Sequence, residues 1–200
     1  MTTDTLIGPG FSDPVFQSQG AFRALLAALA EPGTRQVVIG GITPPDGLHA
    51  ATATALLTLA DYETPIWLPP TLAEGEAGAW LRFHCGAALV AEPGKAAFAV
   101  IDSGSMQPAL AAFEAGNDQF PDRSTTLIVQ CPALDTGEAV TLTGPGIAGS
   151  REIAPAGLRT GFWAEVAANN ACYPLGIDLL LSHGDAVIGL PRSTVIGEIS

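Results

Sequence analysis

The segment with the clearest chemical potential is the glycine-containing run LTGPGIAGSREI, residues 142–153. Gly144 and Gly146 flank a proline directly after an apolar, β-branched stretch, and Arg151 follows shortly. Backbone N–H groups in such a turn can converge on a phosphate or another anion. We therefore take Thr143, Gly144, Gly146 and Arg151 as candidate anion-binding residues. The more ordinary alternative is a tight turn that needs glycine for its positive φ angles.

A second constellation lies near the C-terminal end of the chain. Asp178 stands between Ile177 and Leu179 in a predicted strand. A carboxylate buried there needs hydrogen-bond donors or a cation, because burial without a partner is costly. Arg192 lies across the predicted hairpin formed by residues 177–181 and 186–190. We therefore expect Asp178 and Arg192 to form an ion pair with a structural role.

Patterns typical of a catalytic centre are otherwise missing, and no catalytic residue is assigned. The G-x-S-x-G motif is absent, and we interpret Ser105 as a helix-capping residue. Cys85 adjoins His84, but we place both on a strand, where neighbouring side chains point to opposite faces. His49 and His183 are isolated in the sequence. No HxxxH, HxH or CxxC spacing predicts a metal site.

Cofactor motifs are missing as well. The glycine fingerprint of dinucleotide-binding folds and the phosphate-binding Walker loop are both absent. A pyridoxal phosphate enzyme needs a lysine for its Schiff base. Lys95 is the only lysine, and it lies in the predicted loop AEPGK, where a solvated charge is the simpler interpretation. We expect no cofactor.

Composition limits the class of protein. Hydrophobic residues make up 48% of the 200 residues and charged residues only 14%. Surfaces of small monomers usually carry about 25–35% charged residues, so the shortfall favours an oligomer. The net charge of −12 argues against binding to nucleic acid or to an anionic membrane. Three cysteines without metal or redox spacing, no signal-peptide pattern and no long apolar run favour the reducing cytosol.

The elements that must position these residues alternate between helix and strand. Phe22, Leu25, Leu26 and Leu29 form the stripe of an amphipathic helix over residues 14–30, which Asp13 is expected to cap. Further helices are predicted at 48–60 (capped by Asp46), 72–83, 108–114 and 158–169. Strands are predicted at 37–39, 64–68, 87–90, 96–101, 125–130 and 140–143 and in the C-terminal hairpin. The pattern predicts one α/β domain over residues 1–200, with a mixed sheet covered by helices on both faces.

Several segments, in this order, carry a resemblance to a known family. They are FRALLAALAEPG (22–33), LLTLADYETPIWL (56–68), LRFH (81–84), TGPGI (143–147), PLGID (174–178) and LPRST (190–194). The chain resembles the H-subunit (PhnH) family of the carbon–phosphorus lyase system from about residue 11 to residue 194. The resemblance is carried by the order and spacing of these segments together, not by one motif.

The resemblance implies a three-layer α/β/α sandwich similar to the pyridoxal phosphate transferases but without their cofactor site. It also implies a homodimer and a core complex of the G, H, I and J subunits. With the G, I and L subunits, this family is required to attach methylphosphonate to the ribose of ATP, releasing adenine; the J subunit later cleaves the C–P bond. No catalytic residues carry over. We expect a subunit that shapes the assembly; the alternative is an independent anion-binding or catalytic domain that uses the TGPGI turn and nearby arginines.

Overall fold

The computed structural model describes residues 7–104 and 108–199, with only the backbone of residues 198 and 199. The expected capping role of Ser105 and the first six residues therefore lie outside the described part. The helices are α1 (Pro14–Ala30), α2 (Ala50–Leu59), α3 (Pro70–Ala73), α4 (Glu76–Cys85) and α5 (Phe162–Ala171). Short 3-10 turns span Pro93–Lys95, Leu110–Ala112 and Pro121–Arg123. None of the described helices is long and apolar enough to cross a membrane.

Nine strands are described, and they form two sheets. They are β1 (Arg35–Val37), β2 (Ile66–Trp67), β3 (Phe98–Asp102), β4 (Thr126–Gln130), β5 (Val140–Thr143), β6 (Arg151–Ile153), β7 (Asp178–His183), β8 (Ala186–Leu190) and β9 (Val195–Ile199). The main sheet has the order β1-β8-β7-β4-β3-β2, and a small sheet has the order β6-β5-β9. In the main sheet β2, β3, β4 and β7 are parallel, while β8 runs antiparallel to β7 and β1 to β8. The predicted mixed α/β sheet is confirmed.

The two faces of the main sheet are covered differently. On one face, α1, α2 and α4 pack on Val100, Ile128, Leu180 and Val187. On the other face, α5 and the small sheet enclose the side chains that alternate with those, such as Ile101 and Val129. Helices thus occur on both faces, as predicted. The second layer, however, is shared between one helix and the small sheet.

Helix α1 is confirmed with the predicted bounds. The Asp13 side chain accepts a hydrogen bond from the Phe16 N–H at 3.3 Å, and Pro14 occupies the first turn, where its missing N–H is harmless. The chain leaves the helix at Glu31 and turns at Gly33, whose φ of 79° favours glycine. Strand β1 follows directly and forms one edge of the main sheet.

Other predicted boundaries are wrong for local reasons. Helix α2 begins only after His49, and no side chain, that of Asp46 included, caps it. The predicted helix at 72–83 is broken at Gly75, whose ψ of −163° is extended, and it continues through Cys85. His84 and Cys85 are therefore helical rather than on a strand. Residues 87–90 contribute only one bridge between Ile66 and Leu89, and 108–114 contain only a 3-10 turn. Strands β6 and β9 were not predicted.

Candidate functional site

The glycine turn that was expected to bind an anion lies against the C-terminal end of α1. Gly144 and Gly146 have φ angles of 129° and 82°, and the Ile147 N–H donates to the Gly144 carbonyl at 3.2 Å. A Cβ atom on Gly146 would collide with the Ala30 carbonyl oxygen. Glycine is therefore required here both by the backbone angle and by close packing. Thr143 precedes the turn as the last residue of β5.

Arg151 also faces the end of α1. Its guanidinium donates to the carbonyl oxygens of Pro32 at 2.5 Å and Glu31 at 3.3 Å, and its aliphatic part packs over Gly33. Carbonyl groups at a helix C-terminus carry partial negative charge, which a cation stabilises. The Arg151 side chain thus acts as a cap for α1. Anion binding by the turn stays a prediction that these contacts do not support.

Asp178 and Arg192 lie together, with side chains only 23% and 14% exposed. The Asp178 carboxylate accepts from the Arg192 backbone N–H at 2.8 Å, from Nε at 3.2 Å and from Nη2 at 2.6 Å. Arg192 also donates to the Pro121 carbonyl at 2.7 Å and to the Ser124 hydroxyl. The pair joins the start of β7 to the end of β8 and to the 3-10 turn before β4. Because the Arg192 donors are occupied by the protein, these contacts support the predicted structural role of the pair.

A polar row that was not predicted lies at the carboxyl ends of the parallel strands. Asp102 pairs in register with Gln130, and Gln130 with Ser182, so three adjacent strands end in polar side chains. Strand alternation places all three on the α2 face, because Val100, Ile128 and Leu180 precede them by two residues. In open α/β sheets, ligands bind at the carboxyl ends of the strands.

Gln130 organises this row. Its amide donates to the Asp102 carboxylate at 3.2 Å and to the Gly47 carbonyl at 2.8 Å, while its oxygen accepts from the His49 backbone N–H at 2.7 Å. It is buried, so these bonds hold its orientation. The Ser182 hydroxyl lies 2.7 Å from that of Thr52, which fixes α2 on the end of β7.

His49 and His183 meet at the same place. Their ring centroids are 5.7 Å apart in an edge-to-face arrangement. Nδ1 of His49 lies 3.2 Å from the Ser182 carbonyl oxygen, and Nδ1 of His183 lies 3.0 Å from that of Cys131. A carbonyl only accepts, so Nδ1 is the donor in both contacts. We call His49, His183, Asp102, Gln130 and Ser182 the histidine edge.

The electrostatics of the histidine edge favour a neutral His49. Partial burial lowers the pKa of His49, the hydrogen bond to Ser182 opposes this, and the neighbouring His183 lowers the pKa further, with a smaller opposing effect from Asp102. A neutral imidazole with a free Nε2 can accept a hydrogen bond or a proton. The histidine edge can therefore hold a donor group of a ligand or act as a base. Among the described residues, no cluster of three metal-ligating side chains occurs.

Cys85, Cys131 and His84 form no nucleophilic centre. Burial raises the pKa of the Cys85 thiol to about 11 and that of Cys131 to about 12, so neither is a thiolate near neutral pH. His84 Nε2 lies 2.9 Å from the Gly8 carbonyl oxygen, and its ring packs against that of Trp80 at an interplanar angle of 53°. These residues attach the N-terminal segment to α4.

Comparison with known proteins decides the family. The sequence model of the family described as bacterial phosphonate metabolism protein (PhnH) matches residues 9–197. The chain belongs to the PhnH family. It is 40% identical over 195 residues to the alpha-D-ribose 1-methylphosphonate 5-triphosphate synthase subunit PhnH of Rhizobium meliloti (strain 1021), covering 97% of this chain and 98% of the relative. It is 29% identical over 180 residues to HtxG of Stutzerimonas stutzeri, a candidate C-P lyase subunit, covering 90% and 86% of the two chains.

The histidine edge of this PhnH-family chain was missed because its members are far apart in sequence. His49 precedes α2, whereas His183 ends β7, and local spacing shows no relation between them. One signal was available: the predicted strands that end near Ile101, Gln130 and Leu181 are each followed by or end in polar residues. Recognising that these strands are parallel neighbours would have placed Asp102, Gln130 and Ser182 at one edge of the sheet.

Proposed function

We propose that this chain is a subunit of the assembly that makes ribose 1-methylphosphonate 5-triphosphate in phosphonate breakdown, and that it shapes the assembly rather than catalysing alone. The observation that carries the proposal is the match along nearly the whole chain to a relative named as a subunit of that synthase. In this role the chain acts with the G, I and L subunits in the transfer of the ribose triphosphate of ATP to methylphosphonate. It joins G, I and J in a cytoplasmic core complex.

The proposal includes a fold like that of the pyridoxal phosphate transferases, without the cofactor. The mainly parallel sheet with helices on both faces supports the likeness. Lys95 forms an ion pair with Glu92 at 2.8 Å, and its side chain is 64% exposed. A Schiff-base lysine needs an enclosed site, and the surface position of Lys95 supports a fold that works without one.

An exposed apolar face on α1 supports the proposal that this chain binds a partner chain. Val15, Phe22 and Leu26 recur on one side of α1 and are 73%, 49% and 56% exposed. Contiguous exposed apolar residues mark interaction surfaces. We place the contact of a two-fold homodimer on this face, since isologous contacts use the same patch of both copies.

The dimer contact is tested by light scattering of the isolated chain. The wild type is expected at about twice the monomer mass of 20.4 kDa. Phe22→Ser should shift it toward monomer, whereas Phe83→Ser, the same change at an exposed position of α4, should leave the dimer intact. A monomeric wild type, or equal effects of both changes, contradicts this assignment.

The subunit role is tested by co-expression with the G, I and J subunits. The chain should co-purify with them, and deleting its gene should abolish growth on methylphosphonate as the phosphorus source. Re-expression of the chain should restore growth. A chain that never co-purifies and whose loss leaves growth intact overturns the proposal.

A further inference from the structure

The two imidazoles of the histidine edge are oriented in the way that is typical of metal-binding histidines. Nδ1 of His49 lies 3.2 Å from the Ser182 carbonyl oxygen, and Nδ1 of His183 lies 3.0 Å from the Cys131 carbonyl oxygen. A histidine that binds a metal through one ring nitrogen almost always donates its other N–H to a carbonyl, a carboxylate or water, which fixes the ring. Both rings of this chain meet that requirement through the backbone of the sheet.

The second nitrogen of each ring is available to an external partner. Because Nδ1 faces a carbonyl at the end of the sheet, Nε2 lies on the side of the ring that faces away from the sheet. Within residues 7–104 and 108–199, neither Nε2 makes a hydrogen bond, and neither is among the buried polar atoms that lack a partner. In a neutral ring with the proton on Nδ1, Nε2 provides the lone pair that a metal ion needs.

The spacing of the two rings suits one shared ion. Their centroids are 5.7 Å apart, and the ring planes are inclined by 82°. Two imidazoles that bind one Zn²⁺ through Nε2 at about 2.0–2.1 Å, with an angle of about 110–130° at the ion, have centroids about 5–6 Å apart. The backbone therefore holds the two rings at the distance that a shared ion needs.

The charges beside the rings favour a cation. The neutral imidazole that a metal requires is favoured at His49, because partial burial lowers its pKa. The other charged group that acts on His49 is the carboxylate of Asp102, whose Oδ1 accepts from Gln130 at 3.2 Å. Asp102 is exposed, and its negative charge attracts a cation to this edge and repels an anion.

The donor atoms define the class of ion. Imidazole nitrogen suits Zn²⁺, Cu²⁺ and Ni²⁺, whereas Mg²⁺ and Ca²⁺ prefer oxygen ligands. In the described part of the chain no third metal-ligating side chain completes a cluster with the two histidines. Two protein ligands leave the remaining coordination positions to water or to a further ligand, as catalytic zinc sites also leave a position open.

We propose that His49 and His183 bind one divalent transition-metal ion of the zinc class through their Nε2 atoms, at the carboxyl end of β7 and beside the start of α2. The open coordination positions of the ion face away from the sheet. The site goes beyond the subunit role and does not depend on it, and it is tested on the isolated full-length chain without partner subunits.

Titration with Zn²⁺ tests the site. The exposed thiol of Cys172 is first removed by Cys172→Ser, because a thiolate is itself a zinc ligand. Calorimetry on this parent chain should give about one Zn²⁺ per chain with a Kd below about 100 µM, and Mg²⁺ should bind at least about tenfold more weakly. In the ¹⁵N-labelled parent chain, Zn²⁺ should shift the imidazole Nε2 signals of His49 and His183, while both Nδ1–H groups stay hydrogen-bonded.

Three matched changes from histidine to glutamine, made in the parent chain, assign the ligands. His49→Gln and His183→Gln each remove one nitrogen ligand and should weaken Zn²⁺ binding at least about tenfold. His84→Gln, on α4 outside the histidine edge, should leave Zn²⁺ binding unaltered. Unshifted backbone amide signals away from the edge report intact folding, and if a variant does not fold, the Nε2 signals of the folded parent chain decide.

Four results would overturn the proposal: a parent chain that binds no Zn²⁺, Nε2 signals that do not respond, equal binding of Mg²⁺, or equal weakening of Zn²⁺ binding by His84→Gln and the two ligand variants. None of them bears on the subunit role, which the co-expression experiment tests separately.

Discussion

The imidazole rings of His49 and His183 lie edge to face, 5.7 Å apart between centroids, although one precedes α2 and the other ends β7. Each ring is oriented by a hydrogen bond from Nδ1 to a backbone carbonyl, of Ser182 and Cys131 respectively. The sheet holds backbone carbonyl groups at strand ends in position. The fold thus presents two oriented Nε2 atoms at the edge where α/β sheets bind ligands.

The histidine edge predicts an acid-sensitive contribution to stability. Because burial lowers the pKa of folded His49, the unfolded chain binds more protons below the unperturbed value of about 6.5. Above that value His49 is neutral in both the folded and the unfolded chain, so its protonation costs no stability. As the pH falls from about 6.5 toward the lower folded pKa, the unfolded chain takes up the proton first, and the free energy of unfolding decreases. Urea unfolding of wild type and His49→Gln between about pH 5 and pH 8 should show a smaller acid loss in the variant.

His84→Gln provides the control for that measurement, since it makes the same change at a histidine of α4 outside the histidine edge. At acid pH this variant should still show the decrease in the free energy of unfolding that His49 causes in the wild type. If His49→Gln shows the same pH dependence as wild type, the neutral state assigned to His49 is wrong.

The ion pair between Asp178 and Arg192 predicts a marked loss of stability on substitution. Asp178→Asn leaves a mostly buried guanidinium without its counter-charge and should lower the free energy of unfolding by about 2 kcal/mol. A double-mutant cycle with Arg192→Met should give a coupling of about 1–3 kcal/mol. Glu92→Gln, in the exposed pair with Lys95, should give a change too small to resolve. Additive effects at Asp178 and Arg192 would contradict the assigned coupling.

How much of this fold the sequence predicts depends on whether the signal is local. The bounds of helix α1 are predicted to the residue because the Asp13 cap and the terminal Pro-Gly are local signals. Its predicted apolar stripe is only partly the buried face, since Leu25 is buried whereas Phe22 and Leu26 are exposed. Strand β6 has only three residues and is stabilised by pairing with β5, which no local pattern reveals. The Asp178–Arg192 pair could be predicted because the two residues flank one hairpin, whose sequence signal is local. The histidine edge depends on which strands are neighbours, so it could not be predicted in the same way.

Thiol labelling tests the burial of the cysteines. Cys172 is exposed, whereas burial raises the pKa of Cys85 and Cys131 to about 11 and about 12. A maleimide or disulfide reagent near neutral pH should therefore react rapidly with one thiol per chain, because thiolates are the nucleophiles. Cys172→Ser should abolish the rapid phase, and denaturant should expose two further thiols. Rapid native labelling of the Cys172→Ser variant would contradict the burial of the other two.

Two matched glycine-to-alanine substitutions distinguish the cost of backbone strain from the cost of lost packing between the glycine turn and α1. Gly146 and Gly149 have similar φ angles of 82° and 78°, so alanine is strained at both, by about 1 kcal/mol or more. A Cβ atom at Gly149 meets open space, whereas at Gly146 it collides with the Ala30 carbonyl and Pro32. Gly146→Ala should therefore destabilise the protein by at least about 1 kcal/mol more than Gly149→Ala, measured by urea unfolding. Equal effects would mean that the turn does not pack closely on the end of α1, and the capping role of Arg151 beside it would need revision.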